Sequence, residues 1–110
     1  MNNDAPHLIQ YFDNLIPGFT AYYNSDDNLH TGKSVHSIFC ALSDFVRKPD
    51  PINETTWESL GKYANNVDNG IDSELGNAVY TCFLENLADK EHPLGKYLTG
   101  EAKTYWSHYA

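Results

Sequence analysis

Apolar residues recur along this chain at the three-and-four spacing of helices, and no stretch sustains the two-residue alternation of a strand. The clearest case is DSELGNAVYTCFLENLAD, Asp72–Asp89, where Leu75, Val79, Cys82, Phe83 and Leu87 fall on one helical face. Ala78, Tyr80 and Leu84 widen that stripe, so the segment is predicted to be the central helix, touching more than one neighbour. Asn77, Thr81, Glu85 and Asp89 form its outward face. Asp72 and Ser73 offer oxygens to the unpaired N–H groups of the first turn, and Glu74 places negative charge at the positive end of the helix dipole.

The same spacing predicts a helix over Ala5–Ile16, with Leu8, Ile9, Phe12, Leu15 and Ile16 inward and Pro17-Gly18 as its stop. A short helical turn through Phe19, Tyr22 and Tyr23 follows, and then the polar run NSDDNLHTGK, read as a loop. Val35, Ile38, Phe39, Leu42, Phe45 and Val46 predict a long helix over Ser34–Arg47, with Ser34 as N-cap, Arg47 and Lys48 at the negative end, and Pro49-Asp50-Pro51 terminating it. Asn53 is the predicted cap of the next helix, which carries Trp57, Leu60, Ala64 and Val67 into the core. Gly61 on that side allows close approach, while Glu54, Glu58 and Asn65 are expected to face outward. Asn69-Gly70 is a turn signal leading into the central helix. After Asp89, a short helical piece over Pro93–Leu98 and a last helix over Gly100–His108 are expected, the latter docked by Tyr105 and Trp106. The fold class is therefore all-α: one compact helical bundle of five to six helices, residues 1–110 forming a single domain.

At 110 residues, with 41% hydrophobic residues, eight Tyr, five Phe and two Trp, the chain has enough apolar surface for a real core without a metal or disulfide. Cys40 and Cys82 lie in apolar helical runs and are expected as reduced, packed thiols. The N-terminus lacks the basic and apolar regions of a secretory signal, and no stretch has the ~18 apolar residues of a spanning helix. The expected location is the cytoplasm, which makes the Asn53-Glu54-Thr55 glycosylation pattern idle.

Charge changes the picture most. Fifteen acids against seven bases leave −8, and the imbalance is uneven. Residues 1–32 contain four Asp and no Lys or Arg, and residues 50–89 contain eight acids against Lys62 alone. Such a field repels nucleic acid and anionic membrane and speeds association with a basic protein. It also serves solubility alone.

Catalytic patterns are missing: there is no H-E-x-x-H, paired C-x-x-C, P-loop, G-x-S-x-G or Rossmann glycine pattern. His36 and Cys40 are four apart on one predicted helix, a spacing two metal ligands can use, but no second pair accompanies them. Cys82 has no evident base, and Glu54 with Glu58 reads as a solvated helix face. No catalytic residue, metal or cofactor is assigned. Binding remains, since exposed carboxylates beside Tyr and Trp are the groups that hold a basic protein.

AVYTCFLENLAD (Ala78–Asp89), followed by PLGKYLTGEAKTYW (Pro93–Trp106), resembles small helical immunity proteins of bacterial contact-dependent growth-inhibition and related polymorphic toxin systems. The resemblance covers about the last third of the chain. It implies a cytoplasmic α-helical protein that binds one cognate toxin domain, often a basic nuclease such as an RNase, and blocks its active site. The family carries no catalytic motif, so it transfers no residues. From the residues themselves, the expected toxin-binding surface is Asp26, Asp27, Glu54, Glu58, Asp68, Asp72 and Glu74, with Tyr22, Tyr23 and Tyr63 as aromatic contacts. Trp57 is assigned to the core. The partner would be a basic toxin domain in a one-to-one complex. Alternatives are an acidic helical adaptor or regulator without a toxin partner, and a small metal-dependent enzyme using His36, Cys40 and nearby carboxylates.

Overall fold

In the computed structural model, residues 5–29, 34–47, 52–67 and 70–110 are described, and among them every regular element is helical. Six helices form an all-α bundle. They are α1 (Ala5–Leu15), α2 (Phe19–Tyr23), α3 (Val35–Val46), α4 (Glu54–Asn65), α5 (residues 74–87) and α6 (Gly100–Tyr109), with 3-10 turns at Gly70–Asp72 and Pro93–Tyr97. The stop at Pro49-Asp50-Pro51 and the Asn69 half of the Asn69-Gly70 turn lie outside the described residues.

Side-chain caps set the helix starts. Ser34 Oγ accepts from Ser37 N at 3.1 Å, Asn53 Oδ1 from Thr56 N at 2.8 Å, and Ser73 Oγ from Gly76 N at 2.9 Å, each satisfying a first-turn donor. α2 is capped from a distance. Gly18, at φ 103°, turns the chain after α1, and Asp13 Oδ1 accepts from Thr20 N at 2.8 Å. That backbone hydrogen bond is the main reason the Asp13 carboxyl is held below its ordinary value.

The core is one connected cluster centred on α3 and α5. Ile38, Phe39 and Leu42 from α3 and Val79, Phe83 and Leu84 from α5 are buried, with Phe12 of α1 edge-on to Phe39 at 5.4 Å. Full burial of each such side chain contributes roughly 2 kcal/mol. α5 departs from the regular helix its spacing predicts: it is α-helical over Glu74–Ala78, π-helical over Val79–Leu84 and α-helical again over Glu85–Leu87. Thr81 Oγ1 donates to the Asn77 carbonyl at 2.8 Å, and a hydroxyl inserted in the backbone ladder favours such local unwinding. The wider turn leaves Tyr80 and Leu84 buried and Cys82 only half-buried, so Cys82 is not the fully inward residue its spacing suggests.

The C-terminal third closes the bundle. The Pro93–Tyr97 turn runs between α4 and α6, and two glycines make room for it: a Cβ on Gly61 would stand 2.6 Å from Tyr97 Cβ, and one on Gly95 would stand 2.7 Å from Trp106 Nε1. Asn65 is not outward-facing as expected. It is half-buried, donating from Nδ2 to Tyr97 O and accepting at Oδ1 from Thr99 N, both at 2.9 Å. Val67 likewise lies beyond the end of α4, where it packs on the core as a half-buried residue. Trp106 is buried as expected, while Tyr105 is half-buried and its hydroxyl donates to Glu85 Oε1 at 2.8 Å.

His92 sits between Trp57 and Trp106, with ring centroids at 4.8 and 5.7 Å. Its Nδ1 accepts from Leu94 N at 3.1 Å, so the neutral ring caps the turn. Burial lowers its pKa from the ordinary 6.5; Asp89 works against that shift and Arg47 with it. The unfolded chain therefore binds this proton more readily than the folded one, and stability falls as pH drops below 6.5. Urea titrations across that range should show the loss in the wild type and a weaker pH dependence in His92→Asn, which retains an acceptor for Leu94. Identical profiles would contradict the assignment.

Candidate functional site

The loop after α2 is held by its own side chains. Ser25 Oγ donates to Tyr22 O at 2.7 Å, Asp27 N donates to Ser25 Oγ at 3.3 Å, and the buried Asn28 donates from Nδ2 to Tyr23 O at 2.8 Å. This anchoring presents Asp26 and Asp27 to solvent on a fixed backbone. Leu29 follows them with 83% of its surface exposed.

Beneath the loop lies an aromatic platform in which the half-buried Tyr22 ring is 5.2 Å from Phe45, which is 5.5 Å from Phe19. The Tyr22 hydroxyl is pushed above its ordinary pKa of 10.0, first by burial and then by the charges of Asp44 and Asp27. Both carboxylates therefore act electrostatically on that hydroxyl. Asp44 also lies 3.9 Å from Arg47 at the end of α3, with Arg47 exposed and Asp44 half-buried. Asp44 carries no sign in the sequence beyond its place on the flank of α3; the packing of α2 on α3 brings its charge to bear on Tyr22.

Glu54 and Glu58 are exposed on α4 as expected, but each already has an internal partner. The Tyr97 hydroxyl donates to Glu54, whose carboxylate also lies 3.0 Å from Lys96 Nζ. Those two hydrogen bonds, Tyr97 first, hold the Glu54 carboxyl below its ordinary range, and the Tyr97 hydroxyl is pushed up to about 12, chiefly by the same bond. Glu58 lies 3.5 Å from Lys62. Asp72 and Glu74 are exposed at the start of α5, close in sequence to Ile71, whose N donates to Glu101 Oε2 at 3.4 Å. The carboxylates of Asp26, Asp27, Asp72 and Glu74 have no hydrogen bond or ion pair among the described residues. Asp68 lies outside them.

Of the three tyrosines expected as surface contacts, Tyr23 belongs to the core and Tyr63 packs half-buried against it. Tyr23 is only 6% exposed and packs edge-on to Phe19 at 6.0 Å. The Tyr63 ring lies 5.1 Å from Phe12, 5.5 Å from Tyr11 and 6.1 Å from Phe39. Burial, with a smaller effect from Tyr11, pushes its hydroxyl up to about 12. Both rings lie on the apolar stripes of their helices, and core aromatic clusters claim such positions before solvent does. Tyr22 is the one whose hydroxyl is shifted by named carboxylates, Asp44 and Asp27, among the described residues.

The His36 and Cys40 pair is engaged with α5. His36 Nε2 lies 3.0 Å from Asn77 Oδ1, and Cys82 adds to burial in raising the Cys40 thiol above its ordinary pKa. Among the described residues, no group of three or more His, Cys, Asp and Glu side chains is placed to hold a metal ion, and no helix is long and apolar enough to cross a membrane. Compared with family models, with curated proteins and with solved structures, the chain matches none.

The Tyr63 hydroxyl is buried without a hydrogen-bond partner among the described residues. Desolvating a lone hydroxyl costs about 1 kcal/mol or more, so Tyr63→Phe should leave stability unchanged or raise it by up to about 1 kcal/mol in chemical denaturation. A clear loss of stability would mean that the hydroxyl has a partner.

Proposed function

We propose that this chain is a cytoplasmic immunity protein that binds one cognate basic toxin domain, a nuclease and in the sharpest form an RNase, and covers its active site. The observation that carries the proposal is the anchored presentation of Asp26 and Asp27 beside the Tyr22–Phe45 platform, with Asp44 adjoining. Carboxylates held on a fixed backbone accept from Arg and Lys without a large ordering cost, and aromatic area next to them supplies the apolar part of a contact. The net charge of −8 adds long-range attraction to a cationic cleft. A pocket that binds substrate phosphates has the charge that these carboxylates complement. Asp72 and Glu74 extend the acidic exterior, whereas Glu54 and Glu58 contribute less because a partner would first displace Lys96, Tyr97 and Lys62.

The test is binding to the polypeptide encoded immediately upstream, together with protection of cells that express it. The Asp26→Lys, Asp27→Lys double variant should weaken the complex roughly a hundredfold, about 3 kcal/mol, mostly through slower association at low salt. Glu54→Gln should change affinity far less. Equal losses in both variants would reject the ranking of these groups, and failure of the unaltered protein to bind or protect would favour an adaptor role without a toxin partner.

A further inference from the structure

α3 and α5 meet in a register that brings the chain's two cysteines together. His36 contacts Asn77 at 3.0 Å, and Phe39 faces Phe83 with ring centroids 6.4 Å apart. From the first of these contacts, four residues along α3 lead to Cys40, and five along α5, entering the widened π turn, lead to Cys82. Each step is one helical turn, so the register set by these two contacts brings Cys40 and Cys82 onto facing turns of the two helices. Both cysteines are free and half-buried.

We propose that Cys40 and Cys82 are a redox pair that closes into an intramolecular disulfide when the protein meets a small-molecule disulfide. Burial first, and the Cys82 thiol second, push the Cys40 thiol up to about 12, which keeps it protonated near neutrality. Cys82 makes the first attack. Its sulfur, having lost its proton, attacks one sulfur of the small disulfide; that S–S bond breaks, and one small thiol leaves with the proton. Cys40 then gives up its proton to the second leaving thiolate as its sulfur attacks Cys82, breaking the mixed disulfide. Two protein S–H bonds become one S–S bond, and one small disulfide is reduced to two thiols. In a reducing cytoplasm the pair stays open, and oxidation staples α3 to α5.

The experiment is to equilibrate the folded, full-length protein in mixtures of reduced and oxidised glutathione and read its intact mass and peptide map without reduction. The expected product is a monomer lighter by two hydrogens, with the Cys40 and Cys82 peptides linked and Tm raised by roughly 10 °C. Cys40→Ala should instead accumulate a single glutathione on Cys82. A wild-type protein that keeps two free thiols, carries a separate glutathione on each cysteine, or crosslinks only between chains would overturn the proposal, whatever the variant does.

Discussion

The contact between α3 and α5 is the constraint on which the remaining structure depends. Ile38, Phe39 and Leu42 on one side and Val79, Phe83 and Leu84 on the other are among the most deeply buried residues of the chain. Around this pair the other elements take their places. α1 leans Phe12 on Phe39, α2 sets Phe19 against Phe45, and α6 lays Tyr105 against Tyr80 at 5.1 Å. The π turn is part of the fit, because it matches one turn of α5 to one turn of α3 across the contact. At the far end, Arg47 donates to the Asn86 carbonyl, tying the end of α3 to the last turn of α5.

Surface chemistry follows from that scaffold. α3 carries Asp44 and Phe45 on the flank that meets α2, and thereby turns two loop carboxylates into part of an acidic and aromatic surface. The same helix carries Cys40 on the flank that meets α5. Charge alone did not separate the acids by role. Glu54 and Glu58 look the same as Asp26 and Asp27 in the sequence, yet the first two are engaged by neighbouring cations and a tyrosine while the others are open.

The helices and most of their caps were legible in the sequence because they depend on local rules. Ser34, Asn53 and Ser73 are short oxygen-bearing side chains placed before apolar-periodic runs, and they cap as such residues do. What the sequence hid was tertiary. Tyr22, Tyr23 and Tyr63 have the same chemistry, and only the neighbours brought by other helices decide that Tyr22 borders the acidic group while Tyr23 joins the core and Tyr63 packs half-buried against it. Asn65 looks like an exposed polar residue until the Pro93–Tyr97 turn, from thirty residues on, offers a carbonyl and an N–H to its amide. The π turn was hidden as well, because Thr81 bears no mark that distinguishes an outward hydroxyl from one bonded to the backbone.

Native-state amide hydrogen exchange tests the scaffold most directly. If the α3–α5 contact holds the molecule together, amides of Phe39–Leu42 and Val79–Leu84 exchange only through global unfolding, with free energies equal to that from urea denaturation. Exchange of the Val79–Leu84 amides through local opening, at free energies well below the global value, would contradict it.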